Sequence, residues 1–129
     1  MKVSVTSTGI NELAVALESA ADDAVAEGRK VVSRGALNIK NDWRRRWAGS
    51  PHAPALPYAI GYDVRTAGTQ VSAEIGPDKD RRQGALGNLY EFGSVNNAPR
   101  PGGAPALAAE EPRFVAALEK LAVDLLEDR

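Results

Sequence analysis

From Ile10 to Trp43, small and apolar residues recur at steps of three and four. They are Ile10, Leu13, Leu17, Ala20 or Ala21, Ala24, Gly28, Val31 or Val32, Gly35, Ile39 and Trp43. That spacing puts them on one helical face and predicts a long helix over about residues 10–47. Unbroken, it would be roughly 55 Å long at the α-helical rise. The charges agree. All five charges from Glu12 to Glu27 are acidic, whereas Arg29 to Arg46 holds seven bases and one acid, Asp42. The helix macrodipole favours acids near the N-terminus and bases near the C-terminus. Gly28 and Gly35 each cost about 1 kcal/mol against alanine in a helix. They mark a kink, a break into two helices, or a close approach by another backbone; a bend or interruption near Gly28 is the expectation. Ahead of the helix, Met1 to Thr6 alternates as a short strand, and Ser7 or Thr8 is placed to cap the helix.

Downstream, Pro51, Pro54 and Pro57 follow Gly49 and predict an extended loop rather than a helix. Tyr58, Ile60, Tyr62 and Val64 alternate, as do Val71, Ala73 and Ile75, with Ala67-Gly68 between them. This is a β-hairpin closed by Gly76-Pro77. Asp78 to Gly87 is polar and glycine-containing and reads as a mobile loop. Leu89 to Phe92 fits a helical turn or a short strand equally. Pro99 and Pro101 hold Asn96 to Gly103 extended. A second helical stripe follows in Ala106, Leu107, Glu110, Phe114, Leu118, Leu121 and Leu125. Pro112 suits a first turn, so this helix is expected to begin near Glu110, after a preliminary turn at Pro105 to Ala109. The expected fold is α+β. A long N-terminal helix and a C-terminal helix pack on a small antiparallel sheet with long loops, in one domain over residues 1–129.

The 129 residues contain no cysteine, so disulfides, thiolate metal sites and cysteine nucleophiles are excluded. No run of apolar residues is long enough to span a membrane. The first six residues lack the apolar core of a signal peptide, which fits synthesis in a cytoplasm. The hydrophobic fraction of 43% overstates the core, because alanine supplies 22 of those residues and Leu, Ile, Val and Phe only 28. Part of the buried surface is therefore expected to lie against other chains, the alternative being a modest monomeric domain. The net charge of −1 provides no global attraction for nucleic acid or anionic membranes.

No catalytic set stands out. His52 is the sole histidine, with no positioned nucleophile or orienting acid in the pattern around it. With one histidine and scattered carboxylates, no metal or other cofactor is expected. Gly84-Ala85-Leu86-Gly87 lacks the lysine and spacing of a phosphate-binding loop. Asp63, Glu74 and Glu91 could supply paired carboxylates, but Asp63 and Glu74 fit a solvated hairpin face better. Arg44-Arg45-Arg46 between Trp43 and Trp47 is the best candidate for contact with DNA or a partner, since arginines reach phosphates and tryptophans stack on bases. The competing reading places both tryptophans on the core and the arginines in a solvated last turn. Lys79, Arg81 and Arg82 form a second basic cluster offset by Asp78 and Asp80.

Leu89-Tyr90-Glu91-Phe92-Gly93-Ser94, then Ala98-Pro99-Arg100-Pro101, then a helix, is an order of parts suited to assembly. The chain resembles the tail-completion, or head–tail joining, proteins of long-tailed bacteriophages, neck components related to lambda-type minor tail protein Z. The resemblance is carried by Gly9-Ile10-Asn11-Glu12-Leu13 opening a long helix, Val71 to Gly76 ending in Ile75-Gly76-Pro77, Tyr90-Glu91-Phe92-Gly93, Pro99-Arg100-Pro101, and the closing helix with Phe114. Ile75 to Asp78 and Asn96 to Pro99 are similar to versions in phages of actinobacteria. The resemblance implies a non-enzymatic virion protein, a homo-oligomeric ring expected at six copies. It would join the head closure protein to the tail terminator or tail tube protein, and genomic DNA would pass through its lumen. Tyr90, Glu91, Phe92, Gly93, Pro99, Arg100, Pro101 and Phe114 are the candidates for interface or structural roles. Tyr90 and Phe92 would anchor the Ser94-to-Gly103 loop, and Gly93 would permit its sharp departure. The chain departs from relatives at Ser50 to Pro54, and at Gly102-Gly103, where a missing side chain would loosen the loop's docking. The alternative is a small nucleic-acid-binding module using Trp43 to Trp47.

Overall fold

Residues Glu12–Glu18 form a strand, not the first turns of a helix. Leu13 and Leu17 are four apart and satisfy helical spacing; Leu13, Val15 and Leu17 are two apart and satisfy a strand equally well. Pairing decides between them. The segment lies between two others and pairs with both, Val15 facing Val5 on one side and Val71 on the other. Leu13, Val15 and Leu17 thereby all reach the core.

The computed structural model describes residues 2–8, 12–18 and 22–127. Its elements are β1 (Lys2–Thr8), β2 (Glu12–Glu18), α1 (Asp22–Trp47), α2 (Leu56–Ala59), β3 (Ile60–Ala67), β4 (Gln70–Pro77), α3 (Gly87–Phe92) and α4 (Gly103–Glu127), with a 3₁₀ turn at Gly84–Leu86. The sheet is antiparallel in the order β1-β2-β4-β3. Gly9, Ile10, Asn11, Ala20 and Ala21 lie outside the described residues, as do the side chains of β1 and Leu125. Ser7 and Thr8, expected to cap a helix, belong to β1.

The α+β class is as expected: two long helices lie on one small antiparallel sheet. Helix α1 begins at Asp22 and passes through Gly28 and Gly35 without a break. The two glycines are seven apart, on the face towards the sheet. A side chain at Gly28 would collide with Leu17, and one at Gly35 would lie 3.1 Å from Phe114 and 3.2 Å from Leu13. The helix does not break at either glycine, and what comes close is the side chains of Leu17, Leu13 and Phe114 rather than another backbone. Each cost in helix propensity is offset by bringing α1 down onto β2 and admitting Phe114 from α4.

The second hairpin turns at Gly68, whose φ of +61° suits glycine. Val71, Ala73 and Ile75 of β4 and Ile60 of β3 face α1 and are fully buried. Three of the expected boundaries move. Leu56–Ala59 is a helical turn with Pro57 inside its first two positions, where a missing N–H costs nothing. Tyr58 consequently leaves the strand and stands 72% exposed. Helix α4 starts at Gly103, seven residues before Glu110, and carries Pro112 within it. Pro112 is exposed, so the carbonyl it fails to pair can turn to water. The buried stripe of α4 is Ala106, Leu107, Glu110, Phe114, Leu118 and Leu121.

Candidate functional site

Leu89 to Phe92, open to either reading from sequence, is helical. Helix α3 ends at Gly93, with φ +74° and ψ −173°. A side chain there would lie 2.7 Å from both Asn97 O and Pro99 N, so only glycine lets the chain double back. Ser94 and Asn97 then exchange backbone hydrogen bonds of 2.8 and 3.2 Å, and the Asn97 amide donates to Ser94 Oγ at 3.1 Å. This makes a small closed turn with Val95 at its tip, wholly exposed at 102%.

The returning segment of the loop is fastened to α3 and to α1, and Tyr90 of α3 is itself tied to Ser50. Arg100 N donates to Tyr90 O at 2.7 Å. Trp47 Nε1 donates to Arg100 O at 2.8 Å. Tyr90 and Ser50 hydroxyls share a hydrogen bond of 2.5 Å. The rings of Trp43, Trp47 and Tyr90 meet edge to face in sequence, with centroids 5.5 and 5.7 Å apart. Of Pro99-Arg100-Pro101, it is therefore the Arg100 backbone that docks; its side chain is exposed.

Glu91 is the centre of the arrangement. Although only 5% exposed, it sits where α4 begins. Its Oε1 accepts from Gly102 N at 3.0 Å and Gly103 N at 2.9 Å, and its Oε2 from Ala104 N at 3.3 Å. A helix N-terminus leaves such donors without intrahelical partners, and its dipole favours a negative charge there. Glu91 is thus a cap supplied from another helix. This explains why α4 starts at Gly103 with no capping side chain of its own.

Gly102 and Gly103 do the opposite of loosening the loop. Both are buried. A side chain at Gly102 would lie 2.7 Å from Trp43 Cδ1 and Trp47 Nε1, and one at Gly103 2.6 Å from Trp43. The bare backbone is what lets the loop lie flat on the indoles while its amides reach Glu91.

Phe92 corrects a second expectation. Tyr90 is anchored, but Phe92 is 65% exposed and anchors nothing. It borders a groove of about 750 Å³ whose other walls include Tyr62, Asp63, Lys79, Arg81 and Asn88. Phe114 lies in the core between α4, α1 and β2, away from any surface.

The Trp43–Trp47 segment is built into the fold. Trp43 and Trp47 are 1% and 4% exposed, leaving no indole face for a base to stack on. Arg44 donates twice to Ile60 O, at 3.0 and 2.6 Å. Arg45 and Arg46 both reach the buried carboxylate of Asp42, at 2.6 Å and 3.2 Å. Asp42 is a structural ion-pair partner that the sequence signalled only faintly, as the single acid in a basic run, three and four residues ahead of two arginines. Glu110 is a similar case. Its Oε1 accepts from Asn38 at 3.0 Å, tying α4 to α1, and Arg113 Nη2 stands 2.9 Å from Oε2.

His52 is exposed and borders a cavity of about 220 Å³ with Leu86, Leu89, Tyr90, Asn97, Ala98 and Arg100, a lining without a carboxylate, serine or threonine. Asp63 and Glu74 are cross-strand neighbours on the exposed face, with Asp63 paired to Arg65 at 3.2 Å. Asp78 to Gly87 is a folded connection rather than a free loop: Asp78, Arg81 and Gln83 carbonyls each accept a backbone bond, and Ala55 N donates to Gln83 Oε1 at 2.7 Å. Among the described residues no group of three His, Asp or Glu side chains is arranged to hold a metal. No described helix is long and apolar enough to cross a membrane. No protein-family model, curated protein or solved structure matches the chain.

Proposed function

We propose that this chain is a structural protein of the neck of long-tailed bacteriophage particles. In this reading it is a subunit of a ring, expected at six copies, between the head closure protein and the tail terminator or tail tube protein. Genomic DNA passes through the lumen without sequence-specific contact. The protein is made in the host cytoplasm and ends in the virion. It acts by holding surfaces in place, not by chemistry.

One observation carries the reading beyond the sequence resemblance. Phe92 at the end of α3 and Val95 at the tip of the turn after it stand out in solvent, on a base tied down by Glu91, Tyr90 and Trp47. A rigid base lowers the ordering cost of binding, and exposed apolar side chains on it supply the gain. A surface so arranged suits a partner protein. A ring further requires two different patches that meet head to tail, and the turn around Val95 is well placed to be one of them.

The test is incorporation into particles. Phe92→Ser and Val95→Ser remove apolar surface that is already largely exposed, so each should leave the unfolding free energy within about 0.5 kcal/mol of wild type. Each should reduce the yield of joined heads and tails when supplied to a lysate lacking the wild-type protein. Normal joining by both variants would remove this surface from the mechanism. Normal joining in the absence of the protein altogether would end the neck reading.

A further inference from the structure

Strand β3 is an edge of the sheet, with β4 on one side and no strand on the other among the described residues. Which of its backbone groups face outward follows from the register. Ile60 stands opposite Pro77, which has no N–H, and Ala67 stands opposite Gln70 across the two-residue turn. Antiparallel pairs alternate between bonded and non-bonded. Gly61, Asp63, Arg65 and Ala67 therefore bond to β4, while Ile60, Tyr62, Val64 and Thr66 point their N–H and C=O groups at the open edge. An open edge of this kind is a template for another strand.

Two outward carbonyls are occupied by arginines of α1. Arg44 holds Ile60 O, and Arg29 holds Val64 O at 3.2 Å while also donating to Thr66 Oγ1 at 2.7 Å. Arg29 therefore sits on the middle of the edge, and Arg44 on its end.

The exposed face of β3 is self-complementary in one register only. An antiparallel copy must align outward residues with outward residues, which leaves three central choices. Centred on Asp63, it sets Asp63 against the partner's Asp63. Centred on Arg65, it sets Arg65 against the partner's Arg65. Centred on Val64, it sets Asp63 against the partner's Arg65 and Arg65 against the partner's Asp63. These two pairs fall at non-bonded positions, where side chains are closest. The same register matches Tyr62 to the partner's Thr66 and Val64 to the partner's Val64 as bonded pairs. Ile60 falls opposite the partner's Gly68, so Arg44 can remain in place. Arg29 must let go, and Asp63 and Arg65 exchange their mutual contact for two between copies.

We infer that the β3 edge is a pairing surface for a second copy of this chain, two-fold about Val64, and that Arg29 is the latch that keeps it closed in the single copy. The pairing joins two sheets into one of eight strands. It is isologous, and so distinct from the head-to-tail contact of a ring. It holds or fails independently of the neck reading.

Sedimentation equilibrium of the purified full chain tests this. Arg29→Ala should tighten dimerisation at least about tenfold over wild type, the scale of one competing charge-assisted hydrogen bond. In that background Asp63→Arg should abolish the dimer, by setting arginine against arginine. Asp63→Arg with Arg65→Asp should restore it. Because the chain has no cysteine, Val64→Cys added to Arg29→Ala should give a single disulfide-linked dimer on mild oxidation. A bonded antiparallel pair brings the two Cα atoms to about 5.5 Å, within disulfide range. Arg29→Ala dimerising no more tightly than wild type, a dimer indifferent to Asp63→Arg, or a failure of Val64→Cys to cross-link would each overturn the inference.

Discussion

Replacing Glu91 with alanine should be among the most damaging single changes in this protein, although Glu91 touches neither a ligand nor a core hydrophobic cluster by its charge. The carboxylate accepts from three consecutive amides, Gly102, Gly103 and Ala104, and is 5% exposed. Gly102 and Gly103 are themselves buried against the tryptophans, so water cannot readily replace the lost acceptor. Stranding a buried donor costs about 1–3 kcal/mol, and losing a helix cap about 0.5–2 kcal/mol. These overlap, since the donors are the cap. The expected loss for Glu91→Ala is about 3 kcal/mol, a large share of a small domain's stability. Glu91→Gln keeps one oxygen for the two short bonds but loses the charge at the helix N-terminus, and should cost about 1 kcal/mol. Urea unfolding gives both values. Amide hydrogen exchange locates them: protection at Gly102, Gly103 and Ala104 should fall in the alanine variant by a larger factor than elsewhere in α4. If Glu91→Ala cost less than about 1 kcal/mol and those three amides stayed protected, the cap would not be what starts this helix.

Further outcomes follow from the packing on Trp43 and from the ion pairs of Asp42. Gly103→Ala places a methyl group 2.6 Å from the buried ring of Trp43, and overpacking of this kind should cost about 1–3 kcal/mol, with a shifted tryptophan emission as the local readout. Asp42→Asn removes the partner of Arg45 and Arg46; because those arginines are 76% and 39% exposed, the loss should be only about 1 kcal/mol by urea unfolding, and Arg45→Ala should cost less than half of that.

The parts that were legible in the sequence are those with one dominant period and local closure. The β3–β4 hairpin alternates cleanly and turns at a glycine. The buried stripe of α4 keeps its three- and four-residue steps from Ala106 to Leu121, and that of α1 from Ala24 to Trp43 does the same. Burial of Trp43 and Trp47 was one of the two readings their four-residue spacing allowed. Elsewhere the pattern was ambiguous or the cause was distant. Leu13 and Leu17 fit both periods, and the alanines between them blurred the alternation that marks a strand. Phe92 looked like an anchor because it is aromatic and two residues from Tyr90, but residues two apart on a helix point in different directions, and of the two rings Tyr90 is the one that packs inward.

Sequence alone determined the fold class of this protein, through two helical stripes and an alternating hairpin. Tertiary structure decided where each element starts and what its polar residues do. Segment 12–18 becomes a strand because β4 offers it a partner more than fifty residues away. Helix α4 begins at Gly103 because a carboxylate eleven to thirteen residues earlier is carried to its N-terminus. Hydrogen-bonding groups must be satisfied wherever the chain brings them together, and that meeting is a property of the whole fold, not of any window along the sequence.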